Sequence, residues 1–225
     1  MPHQPSEHHP AFEEYTETIF ELAEDGVDVI QARIAERLGV SRPAVSEMIR
    51  RMERCGLVEM GAQSRISLTA EGRALAVTVV RRHRLAERFL TDMLHLSWAA
   101  AHQEAGRWEH VISPVVEDAL VRVLQDPHTC PHGNPIPGSD YEPDETARAL
   151  AELAVDEQFT VRRIPEELEF QPGQLVFLEH AGLMPGRTGT LLSIAPDGTT
   201  TVSMGGKAVG IGGFVSERII VTTGP

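Results

Sequence analysis

The amino-acid sequence predicts a mainly α-helical protein that ends in a small β domain. Two patterns support this fold class. Apolar residues recur at helical spacing through most of the first 126 residues, whereas residues 151–225 contain short alternating stretches separated by turn residues. We therefore expect an N-terminal winged helix-turn-helix, then a helical dimerisation domain, and then a small antiparallel β-barrel.

The composition excludes several classes of protein. The chain has 225 residues, enough for more than one domain, and it contains no apolar run long enough to span a membrane. Its first residues lack the basic start and the apolar stretch of a signal peptide. Two cysteines cannot build a disulfide framework, which fits a reducing compartment. We therefore expect a cytoplasmic protein without a membrane partner.

The first three predicted helices have the spacing of a helix-turn-helix unit. The first helix covers residues 10–25 and places its apolar side chains on one face. These side chains are Phe12, Tyr15, Ile19 and Leu22. The second helix ends at Gly39, and the third begins after Ser41, a typical N-cap residue. The tight Gly-Val-Ser turn between them is typical of helix-turn-helix proteins.

Two short alternating strands around a glycine turn follow in LVEMGAQSRISLT, which completes the wing. In such a unit the third helix enters the major groove, with its first turn near the base edges and its later turns near phosphates. The predicted DNA-contacting residues are Arg33, Ser41, Arg42, Pro43, Glu47, Arg50, Arg51 and Arg65.

The distribution of charge supports one DNA-binding face. The formal net charge of the chain is −13, which argues against a general polyanion binder. Residues 31–65, however, contain seven arginines and four glutamates. A locally basic segment in an acidic chain indicates a single nucleic-acid surface, although an ordinary solvated helix surface would show the same balance.

Three more helices are predicted over Thr69 to about Leu94, about Trp98 to Ile112, and residues 113–126. They are apolar and carry no DNA signal, so we expect them to form the core of a homodimer, because palindromic DNA sites require two-fold symmetry. Strands are then predicted in QFTVRRI, QLVFLEH, GRTGTLLSIA, TTTVSM and AVGIGGFVSERIIV. The predicted domain bounds are 1–75, 76–142, a linker at 143–151, and 152–225.

Histidines and glutamates share a face on three of the predicted helices, because residues three, four, seven or eight apart lie on one side of a helix. They are Glu14 and Glu17 on the first helix, His83 and Glu87 on the fourth, and His102, Glu109 and His110 on the fifth. Such a set suits Mn²⁺, Fe²⁺, Co²⁺ or Zn²⁺. A single pair of this kind is more often a solvated face with a salt bridge.

Several long segments resemble the diphtheria toxin repressor family of metal-dependent regulators. They are RRHRLAERFLTDML, HQEAGRWEHVIS and HGNPIPG, and RIAERLGVSRPAVSEMIRRMERCGLV is similar to the family's recognition unit. The resemblance is close over about the first 140 residues and looser beyond them, where it implies an SH3-like, FeoA-like barrel. It implies a homodimeric repressor, not an enzyme, that binds palindromic operators of metal-transport genes when metal-loaded, and that has no small organic substrate.

The resemblance also implies about two metal sites in each subunit. An ancillary site would use His83, Glu87 and His102, together with Glu166 and Glu169 from RRIPEELEF. A primary site would use Glu109, His110 and Glu14, with Glu17 one turn further along the first helix. In the manganese regulators of the family, which carry a similar carboxylate pair, the histidine that matches His83 joins a binuclear site.

Two positions depart from the iron-responsive members of the family, which carry methionine in place of Glu14 and cysteine in place of Gly106. Manganese regulators carry an acidic residue at the latter position. The absence of sulfur favours a hard ion, so we expect Mn²⁺, with Fe²⁺ as the alternative. Because Gly106 has no side chain, the primary site lacks one ligand, which water, a backbone carbonyl or Glu17 would replace.

Other candidates carry less weight. The histidines and cysteine of HTCPH (His128, Cys130 and His132) could form a metal clip, but the segment is similar to a turn of the family, so no metal role is expected. Cys55 is expected to be buried, and His3, His8 and His9 are expected to have no specific role. The rival functions are an iron-responsive repressor, a metal-independent winged-helix regulator, and a binuclear-metal hydrolase, for which no nucleophile motif is present.

Overall fold

The computed structural model describes residues 10–224 and begins with a winged helix-turn-helix, as predicted. Its helices are α1 (Pro10–Glu24), α2 (Gln31–Leu38) and α3 (Arg42–Arg54), and its antiparallel hairpin consists of β1 (Val58–Met60) and β2 (Ile66–Leu68). The histidines at positions 3, 8 and 9 lie outside the described residues.

The turn between α2 and α3 follows from two residues. Gly39 adopts a left-handed conformation with φ of 64°, which closes α2. The Ser41 side chain then accepts a hydrogen bond from the backbone N–H of Ala44 at 3.4 Å and caps α3. The buried face of α3 carries Val45, Ile49 and Met52, which pack with residues of α1 and α2. Packing therefore fixes α3 relative to α1.

The middle of the chain forms α4 (Ala70–Asp92), α5 (Trp98–Trp108) and α6 (Pro114–Val123). Gly72 allows α4 to approach the wing, because a Cβ atom there would lie 1.9 Å from the carbonyl oxygen of Leu57. The prediction that the fifth helix reaches Ile112 is wrong. Glu109 caps α5, and His110 lies in a turn before Ser113 caps the next helix.

The C-terminal part is an antiparallel six-stranded sheet with the strand order β3-β8-β4-β5-β6-β7. The strands are β3 (Arg148–Ala149), β4 (Gln158–Arg163), β5 (Thr188–Ile194), β6 (Thr200–Met204), β7 (Lys207–Ile211) and β8 (Ile220–Thr222). Short helices lie between them: α7 (Glu166–Glu169), α8 (Gln174–Ala181) and α9 (Gly213–Ser216). The sheet encloses an apolar core that includes Phe159, Val161, Leu191, Val202 and Val221.

The prediction of a strand in QLVFLEH is wrong, because this segment is α8. Its alternating pattern would bury residues two apart, but Leu175 and Leu178, three apart, are buried while Phe177 is exposed. Gly173 and Gly182 adopt left-handed conformations at the two ends of the segment, which matches the termini of a short helix.

The sheet domain packs against the helical part through α7 and the turn that follows α1. Arg163 of β4 contacts Asp25 at 2.6 Å, and the indole of Trp98, from α5, is buried in the core of the sheet domain. Within residues 10–224, no helix combines the length and the apolar character needed to cross a membrane. The contacts of Arg163 with Asp25, of Trp98 with the sheet domain and of Arg84 with Glu166 hold the β domain against the helical part.

Candidate metal centre and DNA-binding surface

A cluster of imidazole and carboxylate groups lies where α1, α4 and α5 meet. His83 and Glu87 stand one turn apart on α4, and both side chains are buried. His83 lies between the two halves of the cluster. Its Nδ1 is 2.5 Å from Oε2 of Glu109, whereas its Nε2 is 3.2 Å from Oε1 of Glu87. The two halves are therefore connected by one imidazole ring.

The first half joins α1 to the end of α5. Ligand atoms of Glu17, His83 and Glu109 all lie within 4.8 Å of one another, and the three residues are buried. Oε1 of Glu17 is 4.0 Å from Nδ1 of His83 and has no hydrogen-bond partner. A cavity of about 290 Å³ adjoins these groups and is also lined by Glu14 and Gly106. This half offers only oxygen and nitrogen donors.

The predicted ligands Glu14 and His110 lie at the rim of this cavity. The Glu14 residue is exposed, and it is the neighbouring Glu13 whose Oε2 lies 2.7 Å from Nδ1 of His110. The other ring nitrogen of His110 is 3.3 Å from Oε1 of Glu109. Sequence reasoning did not identify Glu13, because it lies one position away from the acidic pair that helical spacing selects.

The second half joins α4, α5 and the β domain. Nδ1 of His102 is 2.9 Å from Oε1 of Glu87 and 3.3 Å from Oε2 of Glu169. Glu169 lies on α7, so a residue 67 positions after His102 along the chain reaches the same place. His83 also contacts Glu87 and His102, so the chain brings four of the five residues expected at the ancillary site into direct contact.

Glu166 occupies a different environment from Glu169. Oε1 of Glu166 accepts hydrogen bonds from Nε and Nη2 of Arg84 at 3.2 and 3.1 Å, and both side chains are fully buried. Arg84 also contacts Glu24 of α1 at 2.6 Å. Oε2 of Glu166 is buried without a hydrogen-bond partner. Glu166 also forms a group with His102 and Glu169 that could hold an ion. Glu166 is therefore both an interdomain ion-pair partner and a candidate ligand.

His132 and Cys130, to which the sequence assigned no metal role, lie in the same cluster. Nδ1 of His132 is 2.8 Å from Oε2 of Glu169 and 3.4 Å from Oε2 of Glu87. The sulfur of Cys130 is 3.8 Å from that nitrogen, and both residues are buried. The alternating His, Cys and His of HTCPH was the available signal. His128, in contrast, is exposed and is absent from the clusters found among the described residues.

The electrostatics of the cluster show which charged groups are stabilised by their neighbours. Burial lowers the pKa of His102, but hydrogen bonds to Glu169 and Glu87 outweigh it and raise the pKa to about 10. Burial, followed by repulsion from Glu109, holds the pKa of Glu17 well above its usual range. Burial likewise raises the pKa of the Cys130 thiol to about 11. Burial and the neighbouring carboxylates therefore outweigh the positive charge of His83 in setting the pKa of Glu17.

These observations fit a divalent cation. Buried carboxylate oxygens of Glu17, Glu87 and Glu166 have no hydrogen-bond partner, and buried polar atoms are normally satisfied. The surrounding donors are imidazole nitrogens and carboxylate oxygens, which suit first-row divalent ions. A bound cation would supply both the missing partners and the missing charge.

The predicted DNA-contacting residues lie on one exposed surface around α3. Ser41, Arg42, Pro43, Glu47, Arg50 and Arg51 are all exposed. Some of the arginines already have partners: Nη1 of Arg33 contacts Glu36 at 2.9 Å, and Nη2 of Arg65 in the wing contacts Asp28 at 2.8 Å. The expectation that Cys55 is buried is wrong, because it is exposed as the C-cap residue one position beyond α3.

Comparisons with known proteins agree with this architecture. Residues 9–64 match the family described as "Iron dependent repressor, N-terminal DNA binding domain", and residues 69–138 match "Iron dependent repressor, metal binding and dimerisation domain". The chain is 42% identical over 207 residues to the iron-dependent repressor IdeR of Mycobacterium tuberculosis, covering 88% of this chain and 90% of that protein. It is 46% identical over 183 residues to the diphtheria toxin repressor of Corynebacterium efficiens, covering 77% and 79%.

Solved structures give the same match over almost the whole chain. A structure titled "Manganese-dependent transcriptional repressor complex with manganese" superposes with a TM-score of 0.82 at 31% identity, covering 94% of this chain and 99% of that one. The relatives thus include proteins named for iron and proteins named for manganese.

Proposed function

The chain belongs to the iron-dependent repressor family of metal-dependent transcriptional regulators, and from this premise we propose that Mn²⁺ activates it to bind operator DNA as a homodimer. Members of this family are regulators and not enzymes, and they combine a DNA-binding domain with a dimerisation domain. The cytoplasmic location, the palindromic operator and control of metal-transport genes are parts of the same proposal.

The observation that carries the choice of metal is the donor set of the cavity between α1, α4 and α5. The predicted ligands Glu14, Glu17, Glu109 and His110 offer oxygen and imidazole nitrogen, and no sulfur lines the cavity. Hard, oxygen-rich sites suit Mn²⁺, whereas thiolate and thioether ligands select softer ions. The opening beside Gly106, where an added Cβ would meet nothing within 4 Å, leaves room for a water ligand.

The second proposed site uses His83, Glu87, His102, Glu166 and Glu169, which makes about two sites per subunit. A neutral imidazole can offer one ring nitrogen to an ion while it donates from the other. Nε2 of His83 faces this site, and Nδ1 is placed to donate to Glu109 at 2.5 Å. His83 would therefore hold Glu109 in position for the primary site, which couples the two.

The positions of the proposed ligands explain how metal binding would affect DNA binding. Glu17 lies on α1, and α1 packs into the same apolar core as α2 and α3. Glu109 follows α5 in the dimerisation domain. A cation at this place supplies positive charge to both carboxylates. Holding Glu17 against Glu109 would fix α1, and with it α3, relative to the dimer axis. Metal binding would thereby shift the population toward the form that binds DNA.

The dimer is supported by exposed apolar side chains on the dimerisation domain. Val111 and Val115, at the α5–α6 connection, are 78% and 77% exposed. Leu94, Val116 and Val123 are also exposed. A group of apolar residues open to water on one domain is typical of an interaction surface. An isologous contact through this surface would give two α3 helices related by two-fold symmetry.

Operator binding against free metal concentration tests this function. Duplexes selected from a random pool with Mn²⁺ present provide the ligand, and anisotropy under anaerobic conditions gives the affinity for each ion. We expect Mn²⁺ to tighten binding at least tenfold, and we expect Glu109→Gln to remove this effect. Glu104→Gln, a half-buried residue of α5 that does not line the cavity, is the control.

Three outcomes contradict parts of the proposal. Activation by Fe²⁺ at a lower free concentration than Mn²⁺ would replace manganese with iron. Equal affinity with and without any divalent ion would indicate a metal-independent regulator. Hydrolysis of phosphodiesters by the Mn²⁺ form would support the hydrolase that was considered as a rival.

A further inference from the structure

Arg37 differs from the other arginines of the helix-turn-helix segment. Residues 31–65 contain seven arginines, and the other six are exposed. The Arg37 side chain, on α2, is only 5% exposed, so it is not available to DNA phosphates. A buried guanidinium requires partners that satisfy its charge and its donors. The groups that contact Arg37 therefore indicate its role.

The Arg37 guanidinium joins α2 to α1 and to both ends of α7. Its Nη2 donates to Oε2 of Glu21 on α1 at 3.2 Å, and its Nη1 donates to the backbone carbonyl of Glu166 at 3.1 Å. Its Cζ atom lies 3.8 Å from the centre of the Phe170 ring. Glu166 is the first residue of α7, and Phe170 follows the last. One side chain of the DNA-binding domain therefore spans α7 of the β domain.

Phe170 lies in a cleft between the two domains. The cleft has a volume of about 310 Å³, and its lining includes Leu22, Val27 and Arg37 on the helical side and Phe170 and Phe214 on the other. Phe170 is 44% exposed, so it does not belong to a closed core. The Arg37–Phe170 contact is therefore a local contact across an open boundary.

The apolar cores of the two domains are separate, which gives a single contact more weight. Ile34 and Ala35 of α2 pack in the core of the helix-turn-helix unit, whereas Leu168 of α7 packs in the core of the sheet domain. Within residues 10–224, these two cores share no residue. The orientation of α2 relative to α7 therefore depends on polar and cation–π contacts.

A second contact holds α7 where α1 ends. Oδ2 of Asp25 accepts a hydrogen bond from the backbone N–H of Glu167 at 3.0 Å, and Oδ1 lies 2.6 Å from Nη2 of Arg163. Asp25 precedes the loop between α1 and α2, and Arg37 follows it. One attachment would leave α7 free to rotate about it, whereas two attachments fix its direction. The β domain is therefore placed to orient α1 and α2 together.

We propose that Arg37 and Phe170 are positioning residues for operator binding: the β domain holds α2 through α7, and α2, which shares a core with α3, fixes α3 for DNA. This inference rests on the proposed function, since it requires that α3 binds an operator. Arginine suits the contact because its planar guanidinium stacks on a ring while its edge donates hydrogen bonds. A cation–π contact also strengthens when the cation leaves water.

Two conservative substitutions remove the contact from either side. Arg37→Lys keeps a positive charge beside Glu21 but loses the planar group, and Phe170→Leu keeps an apolar side chain but loses the ring. We expect each to weaken Mn²⁺-activated operator binding about fivefold, as the loss of one cation–π contact would. The double variant should be no weaker than either single variant, because both remove the same contact. Anisotropy with the selected duplex measures the affinities.

The chain offers a matched control contact. The Arg218 guanidinium lies 3.8 Å from the centre of the Phe214 ring, the same distance, but both residues belong to the β domain. Arg218→Lys and Phe214→Leu should therefore leave operator affinity within about twofold of the wild type. Phe170→Tyr keeps the ring that stacks on Arg37, so it should retain the affinity that Phe170→Leu loses.

Hydrogen exchange separates positioning from a general loss of fold. Exchange should become faster in α7 of Arg37→Lys and in α2 of Phe170→Leu, because each element loses its contact with the other domain. The unfolding temperature and the circular dichroism should stay close to those of the wild type. Phe170→Leu also removes a ring centred 5.2 Å from the His102 ring, whereas Arg37→Lys leaves that ring in place. Agreement between the two variants assigns the effect to their shared contact.

Unchanged operator affinity in both variants of a protein that Mn²⁺ activates would overturn the inference. Effects that add fully in the double variant, or an equal loss in the control pair, would also overturn it. Failure of the proposed function gives a different pattern, in which wild-type operator affinity does not respond to Mn²⁺. Exchange on the protein alone then decides, and equal exchange in wild type and variants contradicts the contact.

Discussion

At the scale of single residues, burial and charge decide what each side chain in the cluster can do. Glu17 is a carboxylate in an apolar helix face, and its pKa is raised by burial and then by the neighbouring Glu109. Burial and repulsion therefore destabilise the charged form of this carboxyl group relative to its neutral form, compared with the same group in water. Its retention on α1 is therefore costly without a cation and useful with one.

Glu17→Gln tests this balance. The amide keeps the shape of the side chain and carries no charge, so we expect the metal-free protein to unfold at a higher temperature at neutral pH. We also expect Mn²⁺ affinity to fall by more than about tenfold, since a ligand is lost. Calorimetric titration and thermal unfolding measure the two effects. Asp118→Asn, on the exposed side of α6, should alter neither.

Gly106 offers the second residue-scale prediction. A Cβ atom at this position would meet no heavy atom within 4 Å, so larger side chains fit beside the cavity. We expect Gly106→Glu to tighten Mn²⁺ binding, and Gly106→Cys combined with Glu14→Met to shift activation toward Fe²⁺, Co²⁺ or Ni²⁺. Operator affinity against free metal measures both.

Gly106→Ala is the matched control, because replacing glycine within a helix stabilises it by roughly 1 kcal/mol without adding a ligand. If Gly106→Ala changes metal preference as much as Gly106→Glu does, the effect comes from the helix and not from coordination.

At the scale of elements, helical periodicity predicted more than strand alternation did. The apolar stripe of α3 and the Ser41 cap are found as expected, because a single face and a single cap determine them locally. In QLVFLEH the same apolar residues satisfy both a strand and a short helix, and the left-handed glycines at its ends decide the outcome.

The cluster shows the same limit. Helical spacing selected His83 and Glu87, which share one face of α4. It also selected His102 on α5, which is spaced from Glu109 as residues on one helix face are. His132 could not be selected in this way, because it reaches Glu87 through the fold of a loop and a contact with the β domain. Long-range placement of this kind has no local sequence pattern.

The α3 helix carries a prediction of its own. Arg51 is exposed, and its guanidinium lies 4.9 Å from the centre of the Phe12 ring. It lies in the later turns of α3, which are expected near phosphates. We expect Arg51→Ala to weaken binding to all DNA sequences alike and to reduce the slope of log affinity against log salt by about one. Changes at Pro43 or Glu47 should instead alter sequence preference. Equal loss of specificity from all three substitutions would contradict these roles.

At the scale of the whole molecule, one buried arginine joins the three parts of the chain. Arg84 on α4 contacts Glu24 of α1 and Glu166 of α7, and it is fully buried. It also donates to the carbonyl of Pro135 at 2.5 Å. The orientation of the β domain and that of α1 therefore depend on the same guanidinium group.

Removing this guanidinium should be strongly destabilising. Arg84→Met leaves Glu166 buried without a counter-charge, and breaking a buried ion pair in this way costs about 3–5 kcal/mol. Urea unfolding of the metal-free protein measures the change. Arg107→Met, which removes an exposed pair with Glu104, should cost less than about 1 kcal/mol. A similar small cost for Arg84 would show that the contact does not hold the domains together.

The exposed valines carry the prediction for assembly. Val111→Asp with Val115→Asp places two charges in the proposed dimer surface. We expect the double variant to sediment as a monomer and to lose operator binding, while Mn²⁺ affinity at the cavity stays within a few-fold of the wild type. Val176→Asp, an exposed valine on α8 of the β domain, should remain dimeric.

The different depths of the two halves of the cluster have a consequence in time. The cavity beside Glu17 opens past the exposed Glu14 and the half-buried His110, so an ion there can enter and leave quickly. Glu87 and Glu169, at the ancillary site, are buried beneath the β domain, so we expect slower exchange there. Metal at the primary site would therefore follow the present metal supply. Metal at the ancillary site would exchange slowly and reflect earlier supply for as long as the β domain stays in place.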